Sequence, residues 1–207
     1  MNQKIKILIA DDHAVVRAGL ATLLGTEDDI EVVAQAKNGN EAISKTLESR
    51  PDVVIMDLRM PAKDGADATA EIHRRHPATK ILILTSFGEA DGVAHALECG
   101  ASGAITKTAE DAELLSVVRK VAAGERFISP EIKKMLKDNP PVPKLTPRQL
   151  EILSYMVRGL TNRDIAESLK IRTDTVEEHV NLILAKLNAA NRAEAVAIAL
   201  KKHLLKI

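Results

Sequence analysis

Five short apolar runs, each followed by an amphipathic stretch of helical period, constrain this chain more than any other feature. The runs are Ile5–Ala10, Ile30–Ala36, Val53–Met56, Ile81–Leu84 and Gly103–Thr106. Four of them are nearly continuously apolar, as a parallel strand buried on both faces requires. Helical patterns fill the gaps, over roughly Ala14–Leu24, Asn40–Ser49, Asp67–His76, Ala90–Glu98 and Asp111–Ala123. The last puts Leu114, Leu115, Val118 and Val121 on one face, the spacing of a helix docked on a sheet. Strand-then-helix, repeated in this way, predicts an α/β doubly wound five-stranded parallel sheet with right-handed crossovers. In such sheets, function gathers at the carboxyl ends of the strands.

Past Gly124 the alternation stops. Ser129-Pro130-Glu131 reads as the cap and first turn of a short helix. The stretch Asp138-Asn139-Pro140-Pro141-Val142-Pro143 cannot continue it and favours an extended, semi-rigid linker. The expected organisation is a domain over 1–125, a linker over 126–143 and a small all-α domain of four helices over 144–207. In the last, Thr146-Pro147-Arg148-Gln149 combines a capping box with proline at the first helical position. That helix runs to about Arg158 and stops at Gly159. A second helix starts at Thr161-Asn162-Arg163-Asp164 and ends at Leu169. Lys170–Arg172 form a turn, Thr173 caps a third helix reaching Leu187, and a final helix covers about Ala193–Leu205. Two short helices joined by such a turn, over about 161–187, make a helix-turn-helix.

Composition narrows the function. Hydrophobic residues at 45% and charged residues at 28% fit an ordinary globular chain. No apolar run approaches the length of a membrane span, and Met1–Lys6 has no secretory hydrophobic region, so a cytoplasmic location without membrane contact is expected. The single cysteine, Cys99, has no intrachain disulfide partner and reads as a small helix residue. The net charge of +0 conceals −6 over residues 1–125 and +6 over 126–207, an acidic module joined to a polyanion-binding one. Aromatics total 1%, which excludes a stacking platform for single strands.

The acidic module has a chemistry. Asp11 and Asp12 end the first strand, Asp57 the third, Thr85 the fourth and Lys107 the fifth. The fold therefore brings three carboxylates, a hydroxyl and an ammonium to one rim. Clustered carboxylates favour a hard divalent cation, and Mg²⁺ is the natural candidate. An Asp carboxylate can then act as nucleophile toward a phosphoryl group, while the cation and a lysine offset the charge that develops. Each aspartate alone is better explained as a helix cap; the set at successive strand ends is not.

The segments Ile7-Leu8-Ile9-Ala10-Asp11-Asp12-His13, Asp57-Leu58-Arg59-Met60-Pro61-Ala62-Lys63-Asp64-Gly65, Thr85 and Gly103-Ala104-Ile105-Thr106-Lys107 resemble the receiver domain of two-component response regulators. The resemblance covers residues 4 to about 123. It implies a flavodoxin-like strand order of 2-1-3-4-5 and a sensor histidine kinase that phosphorylates Asp57. It further implies Mg²⁺ held by Asp12, Asp57 and the backbone carbonyl of Arg59, with Asp11 acting largely through water. Lys107 would pair with the phosphoryl group, and Thr85 would move to hydrogen-bond it. One position departs: many receivers carry Tyr or Phe three residues before the lysine, where this chain has Ala104. The aromatic partner that usually couples to Thr85 is therefore absent from this chain.

Leu145–Leu153, Gly159–Ala166 and Thr175-Val176-Glu177-Glu178-His179-Val180 resemble the LuxR-type output domain, which makes the whole chain similar to the NarL/FixJ class. That class implies transcription regulation by a dimer, formed on phosphorylation, that reads two half-sites of double-stranded DNA. The last helix, with Ala193, Val196, Ala197 and Leu200, would supply dimer contacts. Core spacing on the third helix selects Val176, Val180, Ile183 or Leu184, and Leu187, which leaves Thr175, Glu177, Glu178, Asn181 and Lys186 for the groove. Asn162, Arg163, Arg172 and Thr173 complete the expected DNA contacts. Lysines common in the family at two groove positions are Glu177 and Asn181 here. Carboxylates weaken the electrostatic part of DNA affinity, yet Glu can accept from cytosine N4 and Asn can read adenine. The same acidic pair motivates the alternative of a phosphorylation-switched module that binds a protein. A haloacid-dehalogenase-type enzyme would need Asp at position 59, which is Arg59. The expected role is phosphoacceptor, with at most slow autophosphorylation and autodephosphorylation.

Overall fold

A computed structural model describes residues 4–86, 88–138, 145–202 and 204–205. The chain divides into two compact units, Met1–Pro141 and Val142–Ile207. The first contains β1 (Ile5–Ala10), α1 (Ala14–Gly25), β2 (Ile30–Ala36), α2 (Gly39–Ser49), β3 (Val53–Asp57) and α3 (Gly65–Arg75). It continues with β4 (Lys80–Thr85), α4 (Ala90–Glu98), β5 (Gly103–Thr106), α5 (Asp111–Ala122), β6 (Phe127–Ile128) and α6 (Pro130–Asp138). The strands form one parallel sheet in the order β2-β1-β3-β4-β5-β6.

The apolar runs form strands because each strand supplies two layers at once. In β1, Leu8 and Ala10 join one core layer while Ile7 and Ile9 join the other; in β3, Val54 and Met56 oppose Val53 and Ile55 in the same way. Side chains alternate across a strand, so burial on both faces demands an unbroken apolar run.

The five expected strands are present, and a sixth lies within residues 126–143, which were expected as a linker with a short helix. Phe127–Ile128 pair with Gly103–Ala104, extending the sheet. Helix α6 then buries Ile132 and Met135 in the layer that also holds Ala90, Val93 and Ala104. Two residues carry no periodicity that a sequence pattern can reveal, and α6 hides its amphipathic face only because β5 and α4 lie beside it. Ile132→Ala should therefore cost about 2–4 kcal/mol of receiver stability, the range for a buried Ile truncated in a packed core. Urea denaturation would measure it; a cost near zero would mean α6 does not hold this place in solution. The proline-rich stretch 139–143 lies outside the described residues.

The second unit holds α7 (Pro147–Val157), α8 (Asn162–Leu169), α9 (Thr173–Leu187) and α10 (Arg192–Lys201) around a core that includes Ile152, Leu153, Ile165, Val176, Ile183 and Ala195. The expected capping box of Thr146 with Gln149 forms, and Thr161 makes a second one with Asp164. The cap of α9 is Arg172 rather than Thr173, which is already the first helical residue, and no side chain caps this end. Helix α10 begins one residue earlier than expected, where Asn191 caps it by accepting from the Glu194 amide, and it ends at Lys201.

Candidate functional site

Strands β1, β3, β4 and β5 are parallel, so their carboxyl ends meet on one rim. Asp11 follows β1, Asp57 closes β3 in register with Leu84, and Thr85 closes β4 in register with Thr106. The Lys107 amide donates to the Thr85 carbonyl at 2.8 Å, which anchors the start of the next loop. From there the Lys107 ammonium reaches Asp11 Oδ2 at 2.7 Å and Asp57 Oδ2 at 3.1 Å. Asp11 and Asp57 are 1% and 4% exposed, whereas Asp12 opens to solvent. Neither Asp11 nor Asp12 caps α1, whose N-cap is His13, and Asp64 caps α3, so the helix-cap explanation fails for all three pocket aspartates. Asp11 Oδ1 instead accepts from the His13 amide at 2.8 Å.

Tight backbone packing supports the Asp57 corner. The Gly65 amide donates to the Leu58 carbonyl at 2.8 Å. A Cβ on Gly65 would stand 2.0 Å from the Asp57 carbonyl oxygen, so the returning loop can close only on glycine.

Burial pushes the Asp57 carboxyl above the usual carboxylate range; Lys107 pulls it back through a hydrogen bond and its charge, and the Asp11 and Glu89 carboxylates add to the rise. Burial works against the Lys107 charge too, but the hydrogen bonds and charges of Asp11 and Asp57 outweigh it and raise the ammonium. One ammonium thus serves two buried carboxylates, with Asp12 beside them on the rim. Single ligand atoms of Asp11, Asp12, Asp57 and His13 all lie within 4.8 Å of one another. A mostly oxygen donor set with more negative than positive charge fits a hard divalent cation such as Mg²⁺. His13 is a member that sequence spacing did not suggest; its Nδ1 lies 2.8 Å from Asp12 Oδ1.

Thr85 is fully buried, and its hydroxyl donates to a Glu89 carboxylate oxygen. The other Glu89 oxygen accepts from Arg59 Nε at 2.5 Å. Glu89 was not among the expected residues. It stands in the loop before α4, and only the path of that loop turns it toward the rim. Ala104 is buried against the layer that contains Ile132 and Met135, so apolar side chains from α6 share the core where an aromatic residue is usual.

In the second unit, α9 buries Val176, Val180, Ile183 and Leu187 and exposes Thr173, Glu177, Glu178 and Asn181; Thr175 is half-buried. Leu182, unforeseen in the sequence, is 51% exposed beside Asn181. Arg163 and Arg172 are exposed, and Arg172 pairs with Asp174 at 2.7 Å. Two of the expected contact residues also hydrogen-bond within the domain. Lys186 Nζ donates to Gln149 Oε1 at 2.9 Å, and Asn162 Oδ1 accepts from Arg192 Nη1 at 3.1 Å. A helical wheel places both on the surface, but α7 and α10 lie against that surface and supply partners. His179 is packed, with Nδ1 buried and without a hydrogen-bond partner. On α10, Ala193, Ala197 and Leu200 are exposed and Val196 is half-buried, while Ala195 and Ala199 face the core.

This rim and this helix pair define a receiver joined to a helix-turn-helix output domain, and comparison with known families agrees. The response regulator receiver domain matches residues 7–119, and the luxR family of bacterial regulatory proteins matches residues 143–199. The chain belongs to the two-component response regulators with a LuxR-type DNA-binding domain. It is 43% identical to the oxygen regulatory protein NreC of Staphylococcus haemolyticus, over 97% of this chain and 99% of the relative. NreC of Staphylococcus aureus (strain MRSA252) is 41% identical over the same shares. The crystal structure of ChrA, a response regulator in a heme-sensing two-component system, superposes with a TM-score of 0.60 at 35% identity, covering 98% of this chain and 99% of that one. An RcsB–DNA complex shares the fold, with a TM-score of 0.66 at 22% identity over 97% of this chain and 99% of that one. Among the described residues no helix is long and apolar enough to cross a membrane.

Proposed function

We propose that this chain is a cytoplasmic transcriptional regulator whose DNA binding is switched by phosphorylation of Asp57. The observation that carries the reading is the Lys107 ammonium between the buried Asp11 and Asp57 carboxylates, at 2.7 and 3.1 Å. A carboxylate beside one ammonium, on a rim open to solvent through Asp12, is placed to attack phosphorus. An Asp57 oxygen forms a bond to the phosphorus of a kinase phosphohistidine, the P–N bond breaks, and the imidazole leaves with the bonding pair. Mg²⁺ held by Asp11, Asp12, Asp57 and the Arg59 backbone carbonyl would offset the charge on the transferred oxygens. Lys107 exchanges its Asp57 contact for a phosphoryl oxygen, and the Thr85 hydroxyl leaves Glu89 for another. Water later hydrolyses the acyl phosphate and restores Asp57.

The output follows from the exposed faces. Ala193, Val196, Ala197 and Leu200 form an apolar stripe suited to a second copy of α10, so the phosphorylated chain is read as a homodimer. Thr173, Thr175, Glu177, Glu178 and Asn181 face the major groove. Leu182 adds an apolar contact suited to a thymine methyl. Arg163, Arg172, Thr175 and Lys186 are read as contacts to the phosphates, with Asn162 beside them. The likeness to regulators of 43% identity supports the same regulatory class.

Gel shift against a randomised duplex pool, with and without phosphorylation, tests the proposal. Phosphorylation is expected to tighten sequence-selective binding about tenfold or more, the scale at which a population shift becomes regulatory. With two carboxylates on the reading face, affinity should also fall less steeply with salt than for a lysine-rich face. The exposed Glu177 and Glu178 favour a second reading, a phosphorylation-switched module that binds a protein. Absence of selective duplex binding at low salt, with Asp57 phosphorylated, would select it.

A further inference from the structure

We propose that Glu89 is a positioning residue that holds Thr85 and Arg59 away from the phosphoryl position in the unphosphorylated chain and so slows phosphoryl acquisition. The proposal rests on Asp57 being the phosphoacceptor.

Glu89 is the residue that precedes α4, where an acidic side chain ordinarily turns forward to accept from the first helical amides. It makes no such bond. Its carboxylate turns back to the rim, where one oxygen accepts from the Thr85 hydroxyl and the other from Arg59 Nε. The side chain is only 12% exposed, so it is enclosed between the two loops it joins. One carboxylate thus ties the loop after β3, which carries Arg59, to the end of β4, which carries Thr85.

Thr85 supplies the hydroxyl assigned above to the phosphoryl group, and Arg59 carries a cation two residues from Asp57. A phosphodonor is anionic and presents acceptor oxygens, so it gains from a free hydroxyl proton and a free guanidinium. With the latch closed, the Thr85 proton is committed to Glu89 and the Arg59 charge is neutralised. Glu89 itself adds a negative charge close enough to bear on the Asp57 carboxyl. Acquisition therefore requires the Glu89 contacts to part first, and their release frees the first residues before α4, which packs against α6.

The test uses the full chain, Mg²⁺ and acetyl phosphate, with phosphoryl incorporation followed against donor concentration. Glu89→Gln keeps the size but cannot neutralise Arg59; Glu89→Ala removes both bonds. Each is expected to raise the second-order rate of acquisition about fivefold, the upper end for releasing one partly exposed ion pair. The gain should lie mainly in a lower half-saturating donor concentration, because the freed cation acts on the anion as it binds. Adding Arg59→Ala to Glu89→Ala should abolish most of that gain, a dependence that a merely structural role for Glu89 would not produce. Rates in both Glu89 variants equal to or below the parent, with thermal midpoints unchanged, overturn the latch alone. A parent chain that takes up no phosphoryl group at Asp57 overturns the phosphoacceptor reading and the latch with it.

Discussion

Asp57→Asn is expected to reduce phosphoryl uptake from a small donor by about a thousandfold or more, because an amide has no ionised oxygen with which to attack phosphorus. Mass measurement after incubation with Mg²⁺ and donor reads the loss directly. The same substitution should stabilise the receiver by roughly 1 kcal/mol at neutral pH, since it removes a buried charge that Lys107 only partly offsets. The sign follows from the direction of the shift. Burial raises the Asp57 carboxyl in the folded chain. Its charge therefore costs nothing below the unfolded value of about 4, and the cost grows as pH rises through the folded value. The advantage of Asn over Asp should accordingly be larger at pH 7 than at pH 4.5. Denaturation curves for the two chains at both pH values check it, and an Asp57→Asn chain that still gained one phosphoryl group at the parental rate would remove Asp57 from its role.

Lys107→Ala is expected to be the more damaging change to stability. The ammonium lies between two carboxylates that are almost wholly buried, and removing it leaves them facing each other without a cation. Breaking a buried pair in this way costs about 3 kcal/mol or more, because the remaining charge is uncompensated. The raised ammonium stays charged throughout the working range, so the parent loses this contribution only as pH climbs past the ordinary lysine range. In the variant the pH dependence passes to the carboxylates. The loss should be greatest near pH 8 and shrink toward pH 5 as a proton takes the place of the cation. Added Mg²⁺ should recover part of it, since the oxygen donors are all retained. Phosphoryl uptake should fall about a hundredfold, the usual effect of losing one group that stabilises developing charge. An equal stability loss at pH 5 and pH 8 would mean that Lys107 acts through packing rather than charge.

The strands and the pocket were legible for different reasons. Ile5–Ala10 and Val53–Met56 are unbroken apolar runs because both faces of the sheet are covered, and their ends announce Asp11, Asp12 and Asp57. Phe127–Ile128 were not legible, since a two-residue strand has no pattern and depends on the free edge of β5. Ala104 read as a lost switch residue, while the fold sets it in one core layer with Ile132 and Met135, some thirty residues on. Glu89 was invisible because the chain path between Thr85 and α4 decides where its carboxylate goes. The bonds of Lys186 to Gln149 and of Asn162 to Arg192 were not legible, because those partners lie on α7 and α10.

Consecutive residues alone determined the alternation of strand and helix, the helix ends at Thr146 and Thr161, and which side chains stand at the strand termini. Those are local properties, set by the period of burial and by caps that act over three residues. Only the tertiary structure decided that Lys107 bridges Asp11 and Asp57, that α6 completes the receiver core, and that Glu89 grips Thr85 and Arg59. These pairings join residues brought together by strand order and loop path, and a charge responds to whatever lies within a few ångströms, however far away it is in the chain.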